Sequence, residues 1–187
     1  RRAGRSPRQR RLSPVAASGF AVLACAAACV AGCSVKVHQV PVDSARLLPA
    51  TVSVRMACDR RLQSVVDARD STDRAGGLGM HLFLFDDVPG VVRKQFALAG
   101  LDAQGRGPAV AIRILQFYLA QNTMTKVPVA VYEVSVDGAA PFIVRSQKAS
   151  MNWNGTENEA YGAYALALSD ATAQVVARLN AGCAKQG

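Results

Sequence analysis

The residues in this chain best equipped for chemistry are five cysteines and two histidines, and their spacing limits what they can do. Cys25, Cys29 and Cys33 stand close together, whereas Cys58 and Cys183 lie far apart. No C-x-x-C pair occurs, so neither a thioredoxin-like redox centre nor a zinc knuckle is spelled out. His38 and His81 have no Asp or Cys beside them and sit in strand-like runs. Two such histidines, far apart in the sequence, read as too few for a metal site and do not make a catalytic triad. There is no G-x-S-x-G, no H-E-x-x-H and no Gly-rich loop opening a helix after a strand. Gly105 to Pro108 precedes a strand and reads as a turn. Asp86 and Asp87 resemble paired acids, but beside Pro89 they are better placed to start a helix. The expectation is a protein that is not an enzyme and carries no cofactor and no metal.

What positions the first three cysteines is the N-terminal segment. Arg1, Arg2, Arg5, Arg8, Arg10 and Arg11 precede an Ala-rich apolar run from Val15 to Gly32. A basic stretch, an apolar stretch and a small-residue end are the three parts of a secretory signal. The run is long enough for a membrane span, yet Ala, Ser and Gly dominate it and few residues carry strong insertion energy. Six of the 22 basic residues fall in this segment, leaving 16 against 13 acidic residues from Cys33 onward. The apparent net charge of +9 therefore gives no reason to expect nucleic-acid binding.

Val30-Ala31-Gly32-Cys33 resembles the bacterial lipobox, with an aliphatic residue, two small residues and the modified cysteine in order. The resemblance implies a diacylglyceryl group on the Cys33 thiol, cleavage just before it and acylation of the new amino group. Three acyl chains exceed the two signals that stable anchoring requires. Ser34 stands where Asp would retain such a protein at the inner membrane, which implies the periplasmic face of the outer membrane. The membrane is then one partner, held through the N-terminal acyl chains. Cleavage discards Cys25 and Cys29, acylation uses Cys33, and Cys58 and Cys183 remain. A disulfide between them would clamp the last helix to an early strand; two separate buried thiols are the alternative. Asn154-Gly155-Thr156 matches a glycosylation acceptor but has no meaning in a bacterial lipoprotein.

The remaining residues predict the scaffold. Ser34 to Pro49 reads as a short strand or an extended tether, and Thr51 to Ala57 alternates like a half-buried strand. Leu62, Val65 and Val66 have helical spacing after Asp59, and the polar stretch 67–77 ending in Gly76-Gly77 reads as a loop. Met80 to Phe85 reads as a strand buried on both sides. A helix from Asp86 to Gly100 follows, then strands at 109–119, 127–136 and 141–153. Asp137-Gly138 marks a hairpin, and Thr156 with Glu159 forms a capping box for a helix to about Ala181. Gly182 is its expected cap. Arg113, Glu133 and Arg145 fall on the solvated sheet face.

The expected fold is α+β, an antiparallel meander sheet with two helices packed on one face, the C-terminal one long. The expected divisions are a signal peptide at 1–32, a lipidated tether at 33–49 and a single periplasmic domain at 50–187. Phe117, Trp153, Tyr161 and Leu168 are candidates to line a groove between sheet and last helix.

Asp59-Arg60 at a strand end, and the helix containing ALALSDATAQVVARL (165–179), bring a family resemblance into view. With the lipobox, they make the chain similar to YajG-type outer-membrane lipoproteins and to auxiliary lipoproteins of ABC-type and MCE-type lipid transport systems. The resemblance implies a non-enzymatic accessory of a cell-envelope complex with an envelope protein partner. The alternative it implies is a lipid-transport accessory that shields an acyl chain between sheet and helix.

Overall fold

The computed structural model describes residues 36–47, 52–121, 125–147 and 156–183. Of the two units into which the chain divides, the described elements all belong to Val37–Gly187. Cys33 and Trp153 lie outside the described residues. Among those described, no helix is long and apolar enough to cross a membrane.

The elements run β1 (His38–Pro41), a 3-10 turn (Ser44–Leu47), β2 (Arg61–Asp67), β3 (Arg74–Leu78) and β4 (His81–Leu84). Helix α1 (Val88–Leu98), β5 (Ala109–Gln121), β6 (Lys126–Val136), β7 (Phe142–Arg145) and α2 (Glu157–Cys183) follow. The strands form one sheet in the order β1-β4-β3-β5-β6-β7, with β2 also on β5. Both helices pack on one face over a single hydrophobic core, so the α+β class holds. The sheet, however, is mixed rather than antiparallel. Only β3–β4, β5–β6 and β6–β7 are antiparallel; β1–β4, β2–β5 and β3–β5 are parallel.

The departure has a local cause. Leu62 and Val65 suggested a helix because they are three apart, yet both are core residues of strand β2. A register shift between Leu62 and Ser64 puts them on the same face, because one extra residue in a strand converts spacing two into spacing three. The same device acts in β5, where the shift between Ile114 and Gln116 keeps Ile112, Ile114, Phe117 and Leu119 all facing the core. Strand β3 begins inside the stretch 67–77 expected to be a loop. It exists because Gly76 lets its backbone meet that of Leu119, where a Cβ would lie 2.3 Å from the carbonyl oxygen. The segment 52–56 alternates in burial as expected, with Val52, Val54 and Met56 packed on the core, but it forms no strand. Residues 38–47, read as strand or tether, belong to the fold through the pairing of β1 with β4.

Helix ends follow the expected chemistry. Asp87 accepts the Gly90 N–H at 3.0 Å and caps α1, with Pro89 in the first turn and Gly100 at φ 87° after the end. Thr156 and Glu159 cap α2 reciprocally, Glu159 Oε2 accepting the Thr156 N–H at 3.0 Å. Gly182 does not stop this helix, which continues through Cys183. Asp137 and Gly138, at φ 49° and 72°, turn β6 into β7.

Candidate interaction surface

Of the positions expected to line a groove, the three among the described residues, Phe117, Tyr161 and Leu168, belong to the packed core. Phe117 and Leu168 are fully buried and Tyr161 nearly so. The Phe117 ring lies 5.7 Å from that of Phe85 and 5.8 Å from that of Tyr164, aromatic contacts that fill the layer between sheet and helix. Tyr161 is tied locally: its hydroxyl accepts the Asp43 N–H at 2.8 Å, and the Arg46 guanidinium lies 3.8 Å over its ring.

Cys58 and Cys183 are joined by a disulfide across 125 residues of chain. The neighbouring Asp59-Arg60 dipeptide is a staple as well. The Asp59 carboxylate accepts the Arg106 N–H at 3.1 and 3.2 Å. The Arg60 side chain is buried at the C-terminal end of α2, donating to the Leu179 carbonyl at 3.4 Å. The exposed carbonyls of a helix C-terminus supply the negative end that such a cation needs. Gly105 and Gly107 permit the approach, since a Cβ on either would lie 2.1 or 1.9 Å from the carbonyl oxygens of Arg60 and Asp59. Among the described residues, no group of three His, Cys, Asp or Glu side chains is arranged to hold a metal ion.

The sheet contains a notch. Pairing of β2 with β5 ends at Ile114, and β3 meets β5 at Leu119, so neither strand takes up the segment 115–118 on that edge. A cavity of about 310 Å³ opens there, lined by β5 residues 115–118, Leu82, Arg74 and Gly76 of β3, and the loop residues Arg69, Asp70 and Ser71. Arg69 holds that loop. Its guanidinium donates to both carboxylate oxygens of Asp67 at 2.7 and 2.8 Å, to the Arg74 carbonyl at 2.7 Å and to the carbonyl of Thr72. Only 4% of the Arg69 side chain is exposed, so these bonds replace its hydration.

The sheet face away from the helices carries a second feature. Val66, Arg113, Glu133 and Ile143 are register partners across β2, β5, β6 and β7 and share that face. Arg113 and Glu133 form an ion pair at 2.6 Å, flanked by the exposed apolar side chains of Val66 and Ile143. In the next row Arg145 donates to Gln116 at 3.1 Å across Val131. The expectation that Arg113, Glu133 and Arg145 share an outward face therefore holds. The outer edge of β7 is covered instead: Arg178 and Gln174 of α2 donate to the carbonyls of Ile143 and Arg145 at 3.4 and 3.1 Å. Asp170 accepts the Gln147 N–H at 2.7 Å. Side chains that occupy edge groups in this way block strand addition.

The fold and surface define an α+β domain with helices on one face of a mixed sheet and a row of apolar and paired charged residues on the other. No family model matches the chain, and no curated protein matches it. Among solved structures it is similar to a Xanthomonas campestris protein described as family DUF330, at 14% identity and a TM-score of 0.46. That match covers 80% of this chain and 99% of the other. A second, described only as an uncharacterized protein, is 9% identical with a TM-score of 0.45, covering 76% of this chain and 99% of the other.

Proposed function

We propose that this chain is a non-catalytic, lipid-anchored protein of the bacterial envelope whose folded unit docks a partner protein through the outer face of its sheet. The observation that carries the reading is the exposed row Val66–Arg113–Glu133–Ile143. Apolar side chains around a charge pair suit an interface that desolvates a small centre and reads register through the charges. Because α2 covers the β7 edge, the face rather than that edge is the docking element. The lipobox resemblance at Val30 to Cys33 supports an acyl anchor on Cys33, at the periplasmic face of the outer membrane.

The acyl-shielding alternative places its ligand between sheet and helix. Phe117, Tyr161 and Leu168 occupy that layer with their own side chains, so the docking reading fits the geometry better.

The test is cross-linking of the full chain in membranes, with Val66→Glu and Ile143→Glu against the unmodified protein. Loss of the partner adduct in both variants, with the protein level unchanged, is expected. Undiminished adducts in both would remove the face from consideration. Cys33→Ala should release the protein from the membrane fraction, and unchanged fractionation would overturn the anchor.

A further inference from the structure

The chain contains two histidines in 187 residues, 43 positions apart, and the fold brings them together. His38 begins β1, His81 begins β4, and the two are direct register partners. Register partners on neighbouring strands project from the same face of the sheet. The imidazole centroids are 5.8 Å apart, with the rings inclined by 29°. Both residues are exposed, and neither donates or accepts a side-chain hydrogen bond among the described residues. The backbone beneath them is fixed by the His38 N–H donating to the Met80 carbonyl and the Val42 N–H to the Leu84 carbonyl, each at 2.7 Å.

We propose that His38 and His81 form a bidentate imidazole site for a borderline transition-metal dication, Cu²⁺ before Zn²⁺. Metal–imidazole bonds of about 2.0–2.1 Å require the two ligating nitrogens to come within about 3 Å of each other. Exposed side chains on fixed neighbouring backbones reach that separation by rotation about their own χ angles alone. Imidazole selects Cu²⁺, Ni²⁺ and Zn²⁺ over Mg²⁺ and Ca²⁺, which prefer oxygen donors, and Cu²⁺ leads the divalent order. Two protein ligands leave the remaining positions to water. The site is therefore open and exchangeable, unlike a closed structural zinc site. The two-residue pairing is invisible in the sequence, where both histidines are isolated from other ligand types.

The experiment uses the full chain in detergent micelles, purified without a polyhistidine tag and titrated with CuCl₂. One Cu²⁺ per chain is expected, with two imidazole nitrogens resolved by pulsed electron paramagnetic resonance. His38→Asn and His81→Asn should each weaken binding by about 100-fold, the scale on which linking two weak contacts raises affinity. Zn²⁺ should compete less strongly and Mg²⁺ not at all. Equal Cu²⁺ affinity in either variant would overturn the site. So would a wild-type spectrum showing one imidazole nitrogen or none, a reading that does not depend on the variants folding.

Discussion

The carboxylate of Asp67 grips the guanidinium of Arg69 two residues later, at 2.7 and 2.8 Å, where the chain leaves β2. The pair is nearly closed to solvent, with 4% and 11% of the two side chains exposed. Removing one partner of such a pair strands the other charge, so Arg69→Ala should cost about 3–5 kcal/mol in a urea titration. Because Arg69 also holds the carbonyls of Thr72 and Arg74, amide exchange should accelerate across 68–75 before the rest of the fold responds. Arg69→Lys should rescue little, since an ammonium group cannot form the fork. Exchange unchanged in this loop would show that the arginine does not organise it.

Two glycines in the described fold should respond in opposite directions to alanine. Gly76 sits at φ 89° with a Cβ position 2.3 Å from the Leu119 carbonyl oxygen, so Gly76→Ala must push β3 off β5. A loss of at least about 1–3 kcal/mol is expected, together with changes at the notch. Gly162 lies in α2, exposed, with nothing among the described residues within 4 Å of its Cβ position. Gly162→Ala should stabilise the protein by about 0.8–1 kcal/mol, the helix-propensity difference between the two residues. Equal effects from the two substitutions, measured as shifts in urea midpoint, would contradict the close approach of β3 to β5.

How much of this was readable beforehand follows from where each signal resides. Caps and the tight turn are local: Asp87 with Pro89, Thr156 with Glu159, and Asp137-Gly138 each act within four residues, and all three appear as expected. Core positions along α2 have a local signal too: Tyr164, Leu168 and Val175 recur at helical spacing in the sequence, and all three are buried. Strand β2 was not legible, because its bulge reproduces the spacing of a helix. Strand β3 was not either, because Gly76-Gly77 has weak strand propensity and its pairing depends on Leu119, far along the chain. The row Val66–Arg113–Glu133–Ile143 and the pairing of His38 with His81 are products of register, which single-strand patterns do not encode. Arg113, Glu133 and Arg145 were recognisable as outward-facing; their alignment with Val66 was not.

The disulfide between Cys58 and Cys183 should dominate stability relative to any single surface contact. It closes 125 residues, and in the chain-entropy model a loop of that length contributes about 5 kcal/mol by restricting the unfolded chain. The paired substitution Cys58→Ser with Cys183→Ser should lower the urea midpoint by a corresponding amount. Added reductant should then change nothing further in the variant while destabilising the unmodified protein. Two titratable thiols in the unreduced denatured chain would show that the bridge does not form.

Two buried tyrosines offer the pH-dependent prediction. Tyr164 donates from its hydroxyl to the Ala75 carbonyl at 2.7 Å, whereas the buried Tyr132 hydroxyl has no hydrogen-bond partner among the described residues. Tyr164→Phe should therefore cost about 1 kcal/mol, and Tyr132→Phe should stabilise by about 1 kcal/mol, because an unsatisfied buried hydroxyl is removed. Burial pushes both phenols above the usual tyrosine value, with the neighbouring Tyr161 adding to the effect on Tyr164. The folded state then keeps protons that the unfolded chain releases above about pH 10. Stability from these groups is complete below that pH and falls as pH rises, by about 1.4 kcal/mol per pH unit for each tyrosine. The double variant Tyr132→Phe with Tyr164→Phe should lose stability less steeply between about pH 10 and 11.5, as measured by urea midpoints at successive pH values. Parallel alkaline slopes for the variant and the unmodified chain would mean that other groups govern the transition.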